Sequence, residues 1–265
     1  MSNFINVSIE AAIEAGKKIL EVYECDFSVE TKTDSSPLTE ADKRAHHTIK
    51  DLLQQTDIPF LSEEGKQMPY EERKKWNEFW LVDPLDGTKE FIKKNGEFTV
   101  NIALIKNGTP VLGVVYVPVT GVVYVASEET GSFSFNTNNN GKGTSEMIND
   151  PVKLPLASKP DMYTIVASRS HSSPETEAFI EERKKIYGNV NLISAGSSLK
   201  LCLVAEGKAQ VYPRLAPTME WDTAAGHAIA KFAGCKVYNY ESNDELKYNK
   251  ENLLNPWFVV ERIKS

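Results

Sequence analysis

Residues 79–92 read FWLVDPLDGTKEFI. Four large apolar residues, Phe79 to Val82, run into two aspartates, Asp83 and Asp86, with Pro84 and Gly87 just behind them. The apolar run reads as a buried strand, and it ends in charge. Two carboxylates this close repel, and one of them titrates high unless something positive lies between them. Asp-Pro and Asp-Gly are both turn formers, so a turn explains the stretch. Two carboxylates with the Leu85 carbonyl between them and added waters also make an oxygen set for Mg2+ or Mn2+. Spacing alone leaves both readings open. Pro84 fixes one φ, Gly87 permits a tight path, and TKEFI can continue as a helix. The Gly87 and Thr88 amides would then face an anion, as helix starts do.

Working outward, FTVNIALI (98–105), VLGVVYVPV (111–119), GVVYVASE (121–128) and SFSF (132–135) extend the apolar run into a meander of strands. Before it, Ile5, Ile9, Ile13, Leu20 and Tyr23 mark an amphipathic helix. A second helix follows Thr39, with Ala45, Ile49, Leu52 and Leu53 inward, and Phe60-Leu61 is a short strand ending at Ser62-Glu63-Glu64-Gly65. The charged segment 66–78 reads as a surface excursion. In the second half the rhythm changes. Strands over 164–168, 190–194, 209–212, 236–240 and 256–262 alternate with helices over 174–186, 199–207 and 223–234. This is a mixed α/β chain. Its expected halves are residues 1–150 and 151–265, joined over 146–160.

Composition narrows the partners. The chain has 265 residues, 41% apolar and 25% charged, with a net charge of −7. That charge argues against a nucleic-acid polymer, whose phosphates are met by Lys and Arg. A small phosphate ester stays open, because cations held by carboxylates can supply the positive charge. No apolar run is long enough to cross a membrane, and the first residues carry no signal-peptide pattern. The three cysteines, Cys25, Cys202 and Cys235, lack zinc spacing and read as reduced thiols of a cytoplasmic protein.

Three further acidic places matter. Glu63-Glu64 closes its own strand before a glycine, and a solvated turn explains it in isolation. Asp222, in EWDTAAGHAIA, precedes a helix of small residues and suits an N-cap. Thr39-x-x-Asp42 has capping-box spacing. Together they place acids at several strand ends and helix starts. No GxxxxGK[ST] loop and no EF-hand loop is present. Asp83 and Asp86 are also one residue too far apart for a DxDGT phosphatase motif.

The stretch WLVDPLDGTKEFIKKNGEFTVNIALI, with GSSLKLCLVAEG and WDTAAGHA, resembles the inositol monophosphatase superfamily, which is magnesium-dependent and lithium-sensitive. KEFI, GSSLK and YPR bring it nearest to the bacterial 3′(2′),5′-bisphosphate nucleotidase branch. The resemblance covers nearly the whole chain. It implies a layered α/β/α/β/α sandwich with the active site between its halves. It also implies two or three Mg2+, with Mn2+ as the other candidate, held by Glu63, Asp83, the Leu85 carbonyl, Asp86 and Asp222. Asp42 and Thr88 resemble the pair that orients and deprotonates the attacking water, with Glu63 also catalytic and Glu64 supporting from behind. Glu63, Leu85, Asp86, Gly87, Thr88 and Asp222 then adjoin the substrate. Ser168, His171, Gly196, Ser197, Ser198 and Lys200 resemble adenosine and phosphate contacts, and Arg214 the partner of the non-reacting phosphate. Alone, His171 reads as a surface residue and Lys200 as an exposed helix charge. Glu220 departs from the pattern and puts a charge near the expected pocket mouth. The implied reaction is hydrolysis of adenosine 3′,5′-bisphosphate (PAP), or its sulfated form PAPS, within sulfate assimilation. An inositol or sugar phosphatase and a non-catalytic phospho-ligand sensor are the alternatives. Oligomeric state is not readable, and some relatives attach to the inner face of a membrane.

Overall fold

In the computed structural model, residues 2–24, 29–31, 37–137, 151–156, 161–167 and 173–263 are described. Helix α1 (Ser2–Tyr23) and helix α2 (Glu40–Leu53) flank a small antiparallel ribbon of β1 (Val29–Thr31) and β2 (Pro37–Thr39). A seven-stranded sheet follows in chain order: β3 (Phe60–Ser62), β4 (Glu78–Asp86), β5 (Thr99–Lys106), β6 (Thr109–Val117), β7 (Val122–Ser127), β8 (Gly131–Asn136) and β9 (Val152–Lys153). Only β3 and β4 run parallel in it, and the rest is an antiparallel meander. Short helices α3 (Tyr70–Arg73) and α4 (Thr88–Ile92) precede and follow β4.

The second sheet comprises β10 (Tyr163–Ala167), β11 (Val190–Ser194), β12 (Val211–Arg214), β13 (Cys235–Asn239) and β14 (Phe258–Arg262), ordered β11-β10-β12-β14-β13. Three helices, α5 (Pro174–Tyr187), α6 (Leu199–Glu206) and α7 (Glu220–Phe232), connect its strands. Ser173 caps α5 by accepting from Thr176 N at 3.2 Å.

Strand alternation sorts the side chains into layers. Trp80 and Val82 of β4, with Val100, Ile102 and Leu104 of β5, face α1 and α2. Phe79 and Leu81, with Ala103 and Ile105, face α6 and α7. The same core takes in Tyr212, Val237, Phe258 and Val260 of the second sheet. Ile165, Val211 and Val259 turn to the outer side and meet Phe179 and Ile180 of α5. The result is the α/β/α/β/α sandwich. Burial on both faces explains why the strands read as near-continuous apolar runs. Helix α7 lies very close to the first sheet: a Cβ on Gly113 would stand 2.5 Å from the Ala225 carbonyl oxygen.

Two expectations change. Segment 66–78 is anchored rather than a free excursion. Arg73 is buried and donates to Asn249 Oδ1 (3.0 Å), to the Lys250 carbonyl (2.6 Å) and to the Glu251 carbonyl (2.7 Å). The strand expected over 209–212 runs instead over Val211–Arg214. The expected joint over 146–160 lies largely outside the described residues, and β9 within it pairs with β8.

Candidate active site

Asp83 and Asp86 are three residues apart, so a regular strand would send them to opposite faces. The ladder prevents this. Asp83 pairs with Asn101 and Asp86 with Thr99, so β4 carries one residue more than β5 across that interval. This bulge returns both aspartates to the face that looks at α7, while Leu85 drops into the core under α1 and α2. Asp83 Oδ1 accepts from Leu85 N at 3.0 Å, which fixes the turn inside the bulge.

Glu63 arrives from the neighbouring strand. Ser62 pairs with Val82, and Glu63 N donates to the Val82 carbonyl at 3.1 Å, which seats Glu63 beside Asp83. Asp222 arrives from the first turn of α7. It is the third helical residue rather than the N-cap, and its Oδ2 accepts from Thr218 Oγ1 (2.6 Å) and Met219 N (2.9 Å). Glu63, Asp83 and Asp222 each offer a carboxylate oxygen, and these oxygens lie within 4.8 Å of one another. Asp86 and Asp42 act on Asp83 from nearby. Asp42 is buried in the first turn of α2, and Thr88 opens α4 directly after Gly87.

Electrostatics test whether a cation fits. Burial pushes the Asp83 carboxyl well above its ordinary range, and Glu63, Asp86, Asp222 and Asp42 push the same way. Asp222 is pushed up to about 7, chiefly by burial and then by Asp86, against the bonds from Thr218 and Met219. The groups acting on Asp83 are all acids, and their atoms are all hard oxygens. A divalent cation answers both facts. Glu64 is half-buried behind the cluster and acts on His46, whose Nδ1 lies 3.0 Å from Ser62 Oγ.

A cavity of about 290 Å3 opens beside Asp86 and Asp222. Gly87, Gly196, Ser197, Lys200, Tyr212 and Arg214 line it, with Glu90, Lys93, Asn95 and Glu97 on another part of its wall. Four of the expected nucleotide contacts therefore share one cavity with two of the acids. Ser168 and His171 lie outside the described residues. Lys200 is no exposed helix charge. It is buried, and its Nζ donates to the carbonyls of Ser197 (2.7 Å) and Ala195 (3.2 Å). Burial brings its ammonium down to about 8, with Asp86 opposing the shift. Arg214 donates to the Pro217 carbonyl at 2.6 Å.

Ser198 differs from the expectation. Its side chain is buried and hydrogen-bonded to Asp86 Oδ2 rather than presented to the cavity. Glu220 does not stand at the pocket mouth either. It is fully buried and accepts from Asn249 N (2.7 Å), Lys250 N (3.1 Å) and the Lys250 ammonium. Two residues of the site had not been singled out in the sequence. Asn101 donates to Ser198 Oγ at 2.8 Å. Glu97 Oε2 accepts from Gly196 N at 2.8 Å and joins the segment after α4 to the loop before α6. The signal for Asn101 was its amide, isolated in the apolar run FTVNIALI.

The chain matches the inositol monophosphatase family over residues 1–260. It is 45% identical over 257 residues to the 3′(2′),5′-bisphosphate nucleotidase CysQ of Escherichia coli strain K12, covering 95% of this chain and 96% of that protein. Identity to the Salmonella typhimurium protein of the same name is 46% over the same length. Among solved structures, CysQ from Bacteroides thetaiotaomicron superposes with a TM-score of 0.89 at 53% identity, covering 99% of this chain and 98% of that one. A Thermotoga maritima inositol monophosphatase, at 24% identity and a TM-score of 0.72, shares the fold. By sequence and by architecture, the chain belongs to the inositol monophosphatase family.

Proposed function

We propose that this chain is a 3′(2′),5′-bisphosphate nucleotidase that hydrolyses PAP to AMP and inorganic phosphate. PAPS carries the same 3′-phosphate and falls under the same reading. The observation that carries it is the juxtaposition of an acid cluster around the buried Asp83 with a cavity that Lys200 and Arg214 line. The nucleotidases named above, similar over nearly their full length, support it.

Glu63, Asp83, the Leu85 carbonyl, Asp86 and Asp222 are the groups that would hold divalent cations, and Mg2+ is the ion we propose. When bound, such ions supply Lewis-acid charge to a phosphate and lower the pKa of a water. The chain's own residues do the rest. Asp42 and Thr88 orient a water and take its proton as its oxygen attacks phosphorus. The ribose oxygen leaves on the opposite side and takes a proton from solvent water to become a hydroxyl, and no covalent bond to the protein forms. Lys200 and Arg214 meet the other phosphate and set the nucleotide's direction in the cavity. Gly196 has no Cβ because the Glu97 backbone fills that space: a Cβ there would stand 2.6 Å from the Glu97 carbonyl oxygen.

A substrate panel tests the reading. Phosphate release with Mg2+ is expected to be fastest from PAP, ahead of inositol 1-phosphate at equal concentration. Replacing Lys200 with Ala removes a charged hydrogen bond and should lower kcat/KM for PAP by ~10–100-fold. Inositol 1-phosphate, which has no second phosphate, should be affected far less. Faster turnover of inositol 1-phosphate by the unmodified protein would overturn the substrate assignment. Release that is unchanged in Asp83→Asn, or absent altogether, would favour a binding protein over an enzyme.

A further inference from the structure

Ser198 Oγ sits among three polar groups from three elements. Asn101 Nδ2, on β5, donates to it at 2.8 Å. Asp86 Oδ2, on β4, is 2.8 Å away, and the Asp222 carbonyl oxygen, in α7, is 2.7 Å away. A hydroxyl has one proton, so it can serve only one of these two acceptors. The Asp222 carbonyl lies inside a helix, where an amide one turn on serves it. The carboxylate is also the stronger acceptor. The proton therefore goes to Asp86, while Ser198 accepts from Asn101.

Asn101 Nδ2 also reaches Asp86 Oδ2, at 3.4 Å. This fixes the amide's orientation, because turned over it would aim Oδ1 at two oxygens. In the orientation held, Oδ1 is buried with no hydrogen-bond partner. An unpaired buried carbonyl costs stability, and an apolar residue on this strand would avoid the cost. Neighbouring Ile102 and Ala103 are apolar and fully buried. Asn101 therefore meets a demand other than packing.

We propose that Asn101 and Ser198 are positioning residues. Together they hold Asp86 Oδ2, which leaves the other oxygen of that carboxylate for a divalent cation. The inference rests on the proposed role of Asp86 as a metal ligand. It moves Ser198 from the nucleotide to the support of the metal site.

The test compares wild type, Ser198→Ala, Asn101→Leu and the double variant. Isothermal titration gives Mg2+ affinity, steady-state kinetics give KM for PAP at saturating Mg2+, and thermal melts give stability. Each single change is expected to weaken Mg2+ binding by ~10-fold or more, as loss of a ligand's supporting partner does. The double variant should cost little beyond the worse single, because the pair acts as one unit. KM should move far less than Mg2+ affinity. Asn101→Leu, freed of its unpaired carbonyl, should melt no lower than wild type, a pattern that a purely structural role would not give. Mg2+ affinity within about twofold of wild type in both single variants would overturn the proposal, set against the change expected for a supporting partner. So would a raised KM with Mg2+ affinity intact, which would return Ser198 to the substrate. If Ser198→Ala fails to fold, Asn101→Leu alone decides. Absence of Mg2+ binding by wild type would instead remove the metal reading on which the inference stands.

Discussion

Lys200 places a cation where burial opposes it. Its ammonium titrates near 8 instead of 10.5. The sign follows from which state binds the proton more tightly. Between these values the unfolded chain keeps the proton and the folded protein releases it, so stability rises with pH across that window. Below the window the penalty is present in full. Lys200→Met should therefore be more stable at pH 7, by about 1–2 kcal/mol once the two lost carbonyl contacts are counted. The gain should shrink toward pH 10, and urea midpoints across pH 7–10 read it directly. The same variant should lose PAP hydrolysis, which separates what the lysine does for the ligand from what it does for the fold. Asp83 makes the parallel case among the acids. With a chelator present, Asp83→Asn removes a buried carboxyl from among other acids and should melt higher than wild type, by about 2–4 °C. Adding Mg2+ should raise the melting temperature of wild type, through binding to the folded state, and leave the variant nearly unmoved.

At the scale of elements, α7 is held between the sheets by small side chains. A Cβ on Gly113 would also meet Ala228 Cβ at 2.7 Å, and one on Gly226 would meet Leu201 Cβ at 2.9 Å. Gly113→Val should push α7, and Asp222 with it, away from β6. The expected cost is about 2 kcal/mol or more, from overpacking, together with a fall in phosphate release. Guanidinium midpoints and initial rates check the two effects separately. The strands around residues 79–135 were legible because each is a β-branched or aromatic run bounded by Gly, Pro or Asn. The bulge was not legible. Asp-Pro announces a turn, yet β4 runs on through it to Asp86, and only the pairing with Thr99 and Asn101 shows it. Segment 66–78 misled for a related reason. It is charged throughout, and the partners that bury Arg73 lie some 176 residues further on. No local pattern carries that distance.

Over the whole molecule, the acids that form the cluster were readable because each ends a strand or starts a helix beside Gly, Pro or small residues. Their convergence was not readable from spacing, since Glu63, Asp83 and Asp222 meet only when α7 crosses the first sheet. Asn101 stayed hidden because one amide in an apolar strand looks like tolerance. The same central helix sets the response to acid. His227 of α7 is fully buried, its Nδ1 lies 2.9 Å from Tyr248 Oη and its Nε2 3.4 Å from Glu245. Burial lowers its affinity for a proton, in spite of the carboxylate. The unfolded chain then takes up a proton first as the pH drops below 6.5. Stability supplied by the neutral ring is present above that pH and is lost below it. Raised carboxyls such as Asp83 and Asp222 act in the opposite sense but equally in both proteins, so from pH 7 to pH 5 the urea midpoint of wild type should fall relative to that of His227→Gln.

Strand β14 has a consequence for the order of assembly. It comes after β13 in the chain, yet it lies between β12 and β13 in the second sheet. During synthesis an interior strand of that sheet is therefore delivered after the strands on either side. Until Phe258–Arg262 leaves the ribosome, the layer that backs α7 is incomplete, and a nascent chain that already carries every acidic ligand still lacks the wall that gathers them.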